Sequence, residues 1–403
     1  MIYYNVKIIK IFNKLKLNMF STPFNTKQSF GESNFSTQCG LFSKASLGNI
    51  QKSIIKEKKE ILSLIGVGDS IFDIISEVSM EIIKKYELEN NKTIYINQNS
   101  IKIFDEINKM PIVRYTPGGS SQNILRVLSC RLNNNKKYKI SMLGCVGEDE
   151  YKYKIYNSLV DCGVNPILQI SKNESTSKCA VCICNKKTYY MADIGASKNI
   201  DEQFVANKLE EISNHEAILI DGYSLQYQFN ICKNLCESFY RDKKLTILTL
   251  NNEYIIKYYN ERIIEIANIS DIIFGNMAQA EEFSELKGVE IKKIFEKIFK
   301  KLRPKSRLLV IHNGLDGAYC SKFNYKENNL EFILQYFSPK IKSEEIIDRT
   351  GYEDAFLGGF LSEYMKGNSL YECLKMGNET ANVILHNYGC TFAKNFEFKT
   401  FQI

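Results

Sequence analysis

Six short apolar runs recur along this chain, and that rhythm limits the fold more than any other feature. They are Ile61–Val67, Lys139–Val146, Ala217–Asp221, Leu245–Leu250, Asp271–Gly275 and Leu308–His312, set apart by longer segments that carry polar-apolar periodicity. A strand that is apolar throughout needs cover on both faces, whereas a strand facing water on one side alternates. Repeated βα units of this kind close as a mostly parallel sheet between two helical layers, a three-layer α/β/α domain. One helix is expected within Gly118–Leu132, with apolar residues at Ile124, Leu125, Val127 and Leu128, and another from Asp149 to Cys162, stopping at Gly163. Two regions break the rhythm. The stretch 73–117 holds short alternating pieces (Thr93–Asn97, Pro111–Tyr115), and 175–193 reads as a hairpin turning at Asn185-Lys186. Together they are expected to form a small antiparallel β lid over the strand ends.

Charge and cysteine usage narrow the function classes. Residues 1–60 hold ten Lys against three Glu, with no Arg or Asp, which accounts for the whole formal net charge of +7. The remainder is close to neutral, so no basic face for nucleic acid is expected. The chain therefore divides into a basic extension, 1–60, and a domain, 61–403. The extension reads as a disordered tail or a weak organellar targeting signal, on an otherwise cytoplasmic protein. Twelve Cys show no paired framework spacing. Cys182 and Cys184 would share one strand face and Cys179 the other, so small apolar core residues are expected rather than a metal site. No run of eighteen apolar residues predicts a membrane span.

Two segments could carry chemistry. Gly66-Val67-Gly68 follows the first strand but lacks the third glycine of a dinucleotide fingerprint, and no GxxxxGK[ST] loop exists. Ile347–Phe360 (IDRTGYEDAFLGGF) is richer: an extended piece ends at Asp348, a glycine turn follows, and a helix begins near Asp354. Unpaired N–H groups at such a helix start can receive an anion, and a carboxylate there can take a proton from a hydroxyl. Read alone, Asp354 serves equally well as a helix cap.

This segment resembles the D-T-x-G-A-G-D signature of the ribokinase-like (PfkB) kinases. Within that family Tyr115–Asn123 (YTPGGSSQN) is similar to the ribose-binding GGSxQN loop of the adenosine kinases, where the family's sugar kinases tend to show GGKGAN. Leu143–Asp149, Asp271–Asn276 and Cys373–Phe392 follow the same order, and the likeness covers about 61–395. The resemblance implies a monomeric enzyme that transfers the γ-phosphate of ATP, with Mg2+, to the 5′-hydroxyl of adenosine or a close nucleoside in purine salvage. It implies Asp354 as base, with Gly351, Tyr352 and Glu353 as the anion turn. Asp69, Asp73, Gly119, Ser120, Asn123 and Tyr254 would hold the nucleoside, Tyr254 by stacking on the base. Lys187, Asn276, His312, Asn313, Gly314 and Asn378 would hold the nucleotide, and Gln279 would organise magnesium through water.

The same comparison marks departures. The anion turn reads Gly351-Tyr352-Glu353 where the family has G-A-G, and Asn276-Met277-Ala278-Gln279 stands for N-x-x-E. Lys187 stands for a lid arginine, and Asp69 for an asparagine. Glu353 is expected either to crowd the γ-phosphate or to turn away to solvent. Alternatives are a catalytically impaired pseudokinase with a binding role, and a sugar kinase of the same fold.

Overall fold

The computed structural model describes residues 60–392. The basic extension, apart from Glu60, lies outside the described residues. Among the described residues, fourteen strands fall into two sheets. The larger is built from β1 (Ser63–Val67), β5 (Lys139–Gly147), β6 (Val164–Ser171), β9 (Ala217–Asp221), β10 (Leu245–Thr249), β11 (Ile272–Asn276), β12 (Leu308–His312), β13 (Gly317–Asn324) and β14 (Asn329–Phe337). Its order is β14-β13-β12-β11-β10-β9-β1-β5-β6, parallel except for the antiparallel β13–β14 hairpin at one edge.

Strand alternation sends successive apolar residues to opposite helical layers. Ile65, Ile218, Ile273 and Leu309 pack under α3 (Phe229–Arg241), α4 (Asn260–Ile269), α5 (Met277–Ser284) and α6 (Ile291–Lys301). Leu64, Leu219, Ile272 and Val310 pack on the other face, under α1 (Ser120–Arg131), α2 (Glu150–Asp161), α7 (Tyr352–Met365) and α8 (Leu370–Ile384). The three-layer α/β/α expectation is met. The α2 start is also as expected: Asp149 caps it, accepting from the Tyr151 and Lys152 amides.

The second sheet has the order β3-β8-β7-β2-β4, from β2 (Ile71–Glu77), β3 (Thr93–Tyr95), β4 (Arg114–Gly118), β7 (Ser177–Cys184) and β8 (Lys187–Asp193). Its β2–β4 and β7–β8 pairings are antiparallel, and β2–β7 and β3–β8 are parallel. The hairpin turns at Asn185-Lys186, both left-handed (φ 50° and 60°), as a two-residue connection requires. Cys182 and Cys184 join one core of this sheet and Cys179 the other, and among the described residues no cluster suited to a metal ion occurs. No helix among the described residues is long and apolar enough to cross a membrane.

Chain order reverses between β1 and β9: β5 and β6 continue on one side, β10 to β12 on the other. Loops leaving neighbouring parallel strands diverge at such a point and open a crevice at the carboxyl ends. The smaller sheet stands over that crevice, because β2 leaves β1 after only three residues.

Candidate active site

A cavity of about 1100 Å³ occupies the crevice. Strand ends supply Asp69 after β1, Thr249 and Asn251 at β10, Asn276 at β11 and His312 at β12; α1 and α7 supply their first turns. Of the sequence-predicted residues, Asp69, Asp73, Gly119, Ser120, Asn123, Tyr254, Asn276, Gln279, His312, Asn313, Gly314, Gly351, Tyr352, Glu353 and Asp354 all line it. The volume exceeds that of one ordinary small-molecule pocket, so two ligands can share it.

Asp354 is anchored to the glycine loop. Its Oδ1 accepts from Ser120 Oγ at 2.7 Å and its Oδ2 from Asn123 Nδ2 at 2.9 Å. Gly351 is the N-cap of α7, and no side chain caps that end. The carboxylate thus reaches across to α1 instead of capping its own helix. Burial raises its pKa, opposed by the hydrogen bonds from Asn123 and Ser120. Ser120 Oγ also accepts from Asn251 Nδ2 at 2.8 Å, and Asn123 Oδ1 accepts from Arg126 at 2.8 Å.

The glycines preceding α1 have a steric cause. Gly119 has φ 85°, and a Cβ there would run into the Asp69 carbonyl oxygen. Gly351 is likewise left-handed (φ 75°), which turns the chain from Thr350 into α7. Asp348 sets that turn: it accepts from Thr350 N (3.0 Å) and Oγ1 (2.9 Å), Gly389 N (2.8 Å) and Thr188 Oγ1 (3.2 Å) of the lid hairpin.

Glu353 follows neither expected course. It lies within α7, where the backbone needs no glycine. Its Oε1 accepts from Asn276 Nδ2 at 2.7 Å and its Oε2 from Gln279 Nε2 at 3.4 Å. Burial pushes its pKa up to about 7, opposed by Asn276. Gln279 is occupied elsewhere: its oxygen accepts from the Asn276 amide at 2.9 Å, completing the capping box of α5, while its nitrogen also donates to Asn251 O at 2.6 Å. A carboxylate therefore does stand beside position 279, supplied by Glu353.

Two nucleotide assignments stand apart from the cavity. Lys187 opens β8 opposite Cys184 and is exposed. Strand alternation turns its neighbour Thr188 toward Asp348 instead. Asn378 is buried in α8, donating to Leu374 O at 2.7 Å. Arg349, a cation lining the cavity beside the anion turn, carried no sequence-derived role, although it sits inside the quoted motif. Asn251 also carried no sequence-derived role; its only sequence-level signal is the Asn251-Asn252 pair just past β10, a pair that tolerates the left-handed backbone found at Asn251 (φ 58°).

Buried acids and tyrosines also stand at or just behind the cavity wall. Asp73 is 5 % exposed, and burial pushes its pKa up to about 7, aided by Asp348 and Asp354 and opposed by Arg126. Asp69 accepts from the Tyr227 hydroxyl, and Asp221 from the Ser121 and Tyr223 amides (3.1 and 3.0 Å); burial raises both carboxyls. Tyr254 is 39 % exposed, with ring centroids of Tyr95 and Tyr258 at 6.3 and 4.9 Å.

The pfkB family carbohydrate kinase model matches residues 90–395. Among curated proteins, adenosine kinase 2 of Arabidopsis thaliana is 25% identical over 344 residues, spanning 83% of this chain and 97% of that protein. The adenosine kinase of Dictyostelium discoideum is 26% identical over 338 residues, 82% and 96% of the two chains. A crystal structure of Anopheles gambiae adenosine kinase, in complex with P1,P4-di(adenosine-5) tetraphosphate, superposes with a TM-score of 0.75 at 22% identity, covering 83% of this chain and 98% of that one.

Proposed function

The chain belongs to the pfkB carbohydrate kinase family, and on that premise we propose that it phosphorylates the 5′-hydroxyl of adenosine or a close nucleoside at the expense of ATP. The observation that carries this reading is the bridge from Asp354 to Ser120 and Asn123, which couples a buried carboxylate to the GGSSQN loop. The two curated relatives named above, which match more than four-fifths of the chain, are adenosine kinases.

In this reading Gly119, Ser120, Asn123 and Asp73 hold the ribose, and a site built on hydroxyl contacts disfavours a deoxy analogue. Tyr254, with Tyr95 beside it, offers a face to the base. Asp354 accepts the proton of the attacking hydroxyl, and its burial raises its proton affinity toward that task. The amides of the first turn of α7 receive the transferred group's oxygens, with Arg349 in reach of the same charge. Catalysis is then mostly positioning and neutralisation.

Magnesium fits the donor set, because a hydrated ion needs only one or two protein carboxylates alongside phosphate oxygens. Glu353 would hold it through water, with Gln279 and Asn276 fixing that carboxylate's orientation. When bound, the ion supplies neutralisation of the β- and γ-phosphate charge.

A second reading, a nucleoside-binding protein with little turnover, draws on Lys187, which leaves the cavity without its expected lid cation. A substrate panel separates the possibilities. Adenosine-dependent ADP release from ATP by the full chain, exceeding that with 2′-deoxyadenosine, ribose or fructose, supports the nucleoside kinase. Release with a sugar alone contradicts it, and adenosine binding without release favours the second reading.

A further inference from the structure

Arg126 lies one turn along α1 from Asn123 and is only 4 % exposed. Its Nη2 donates to Asn123 Oδ1 at 2.8 Å, Pro117 O at 2.9 Å and Cys390 O at 3.1 Å, and its Nη1 to Ser158 Oγ at 3.3 Å. Every one of these acceptors is a neutral oxygen, and Nε has no partner among the described residues. A guanidinium buried without a carboxylate in contact is costly, and an apolar side chain of similar volume would often stabilise the interior as well or better. Stability alone is therefore a poor account of Arg126, and the groups it touches supply a better one.

A guanidinium only donates, and a carboxylate in the ionised form that a base requires only accepts. An amide held between the two has one permitted orientation. Asn123 is held in this way, with Oδ1 toward Arg126 and Nδ2 donating to Asp354 Oδ2 at 2.9 Å. The same Arg126 nitrogen pins two backbone segments beside that pair. Pro117 belongs to β4 of the smaller sheet and leads into Gly118-Gly119. Cys390 packs against Gly351, where an added Cβ would collide with the cysteine side chain. One buried nitrogen thus joins the lid strand, the glycine loop and the segment packed on the turn before Asp354.

We propose that Arg126 is a positioning residue for phosphoryl transfer: it fixes the polarity of the Asn123 amide, and through that amide the direction in which Asp354 meets the attacking hydroxyl. Arg126 is not among the residues that line the cavity, so it acts through Asn123 and not on a ligand. Without it the amide can turn its oxygen toward Asp354, which replaces an attraction by a repulsion and lets the carboxylate swing away. The inference rests on the nucleoside-kinase reading, since that reading supplies the reaction.

The test is a double-mutant cycle on the full chain, reading kcat for adenosine-dependent ADP formation beside adenosine affinity by calorimetry. Arg126→Met keeps the stem and removes the donors. It is expected to lower kcat roughly tenfold to a hundredfold, the scale of a small misplacement of a reacting group, with a smaller effect on adenosine affinity. In an Asn123→Ala chain the same substitution should change kcat by less than about twofold, because its effect runs through the amide already removed. Arg126→Lys, which keeps the charge and a donor, should recover part of the loss only where Asn123 is present, and it supplies the cycle if Arg126→Met does not fold. A purely structural Arg126 would lower kcat by the same factor with and without Asn123, and that result overturns this inference alone. So does a folded Arg126→Met chain with wild-type kcat, whatever its adenosine affinity. A wild-type chain that forms no ADP in response to adenosine overturns the kinase reading and this inference with it.

Discussion

Glu353 Oε1 accepts a hydrogen bond from Asn276 Nδ2 at 2.7 Å, which ties the first turn of α7 to the first turn of α5. The two residues are 77 apart in sequence; Glu353 lies in the first turn of α7 and Asn276 is the N-cap of α5, and both line the cavity. The Glu353 carboxylate is held by two side-chain amide donors, Asn276 and Gln279.

Replacing Glu353 by Gly removes this tie and places a glycine inside a helix. We expect a stability loss of about 1–2 kcal/mol by urea unfolding, with adenosine-dependent turnover no higher than wild type and a larger magnesium requirement. Turnover that rises in Glu353→Gly would mean the carboxylate obstructs the phosphate.

Asp348 joins the anion turn, the Gly389 loop and the lid hairpin through four hydrogen bonds. Asp348→Ala leaves two backbone amides and two hydroxyls without their acceptor and should cost about 2–4 kcal/mol. Unfolding of purified protein checks the loss. A change below ~0.5 kcal/mol would mean that this network is dispensable.

Asp73 and Glu353 bind their protons more tightly in the folded chain than in the unfolded one, each at about 7, and Asp69 and Asp221 shift in the same direction. The sign follows from linkage: stability contributed by a raised carboxyl is complete below its unfolded pKa and is lost as pH climbs through the folded value. The ligand-free chain should therefore melt lower at pH 8 than at pH 5.5, and Asp73→Asn or Glu353→Gln should flatten that slope. Melting temperatures that rise across this interval would exclude these protonation states.

The loop before α1 leaves no room for a side chain, since Gly119 has φ 85° and abuts the Asp69 carbonyl. Gly119→Ala should displace Ser120 and Asn123, weakening adenosine binding tenfold or more by calorimetry (about 1.4 kcal/mol or more). Wild-type affinity in this variant would place the ribose elsewhere in the cavity.

How far the sequence reached depends on whether burial or geometry decided each part. Ala217–Asp221 and Leu308–His312 were legible to the residue because central parallel strands are apolar on both faces. β6 was not, since this edge strand mixes Pro166 and polar residues with only two fully buried positions. The antiparallel β13–β14 hairpin was not legible either, because polar and apolar residues mix along both strands and neither is a continuous apolar run. Within the site, motif order located Asp354 and the glycine loop, whereas rotamer and register decided Glu353, Gln279 and Lys187. Glu353 reads as an intruding charge until Asn276, distant in sequence, is seen to receive it. Asn251 carries no motif at all, and only folding brings it to Ser120.

The account turns on Asp354, so the most direct measurement compares wild type and Asp354→Asn in two assays on the same full-length protein. One follows adenosine- and magnesium-dependent ADP formation, and the other measures adenosine binding by calorimetry. The account predicts a fall in turnover of roughly 10²- to 10⁴-fold with adenosine affinity kept within a few-fold, since the asparagine still fills the place between Ser120 and Asn123. Turnover that survives the substitution would contradict the assignment of the base, and with it the central claim.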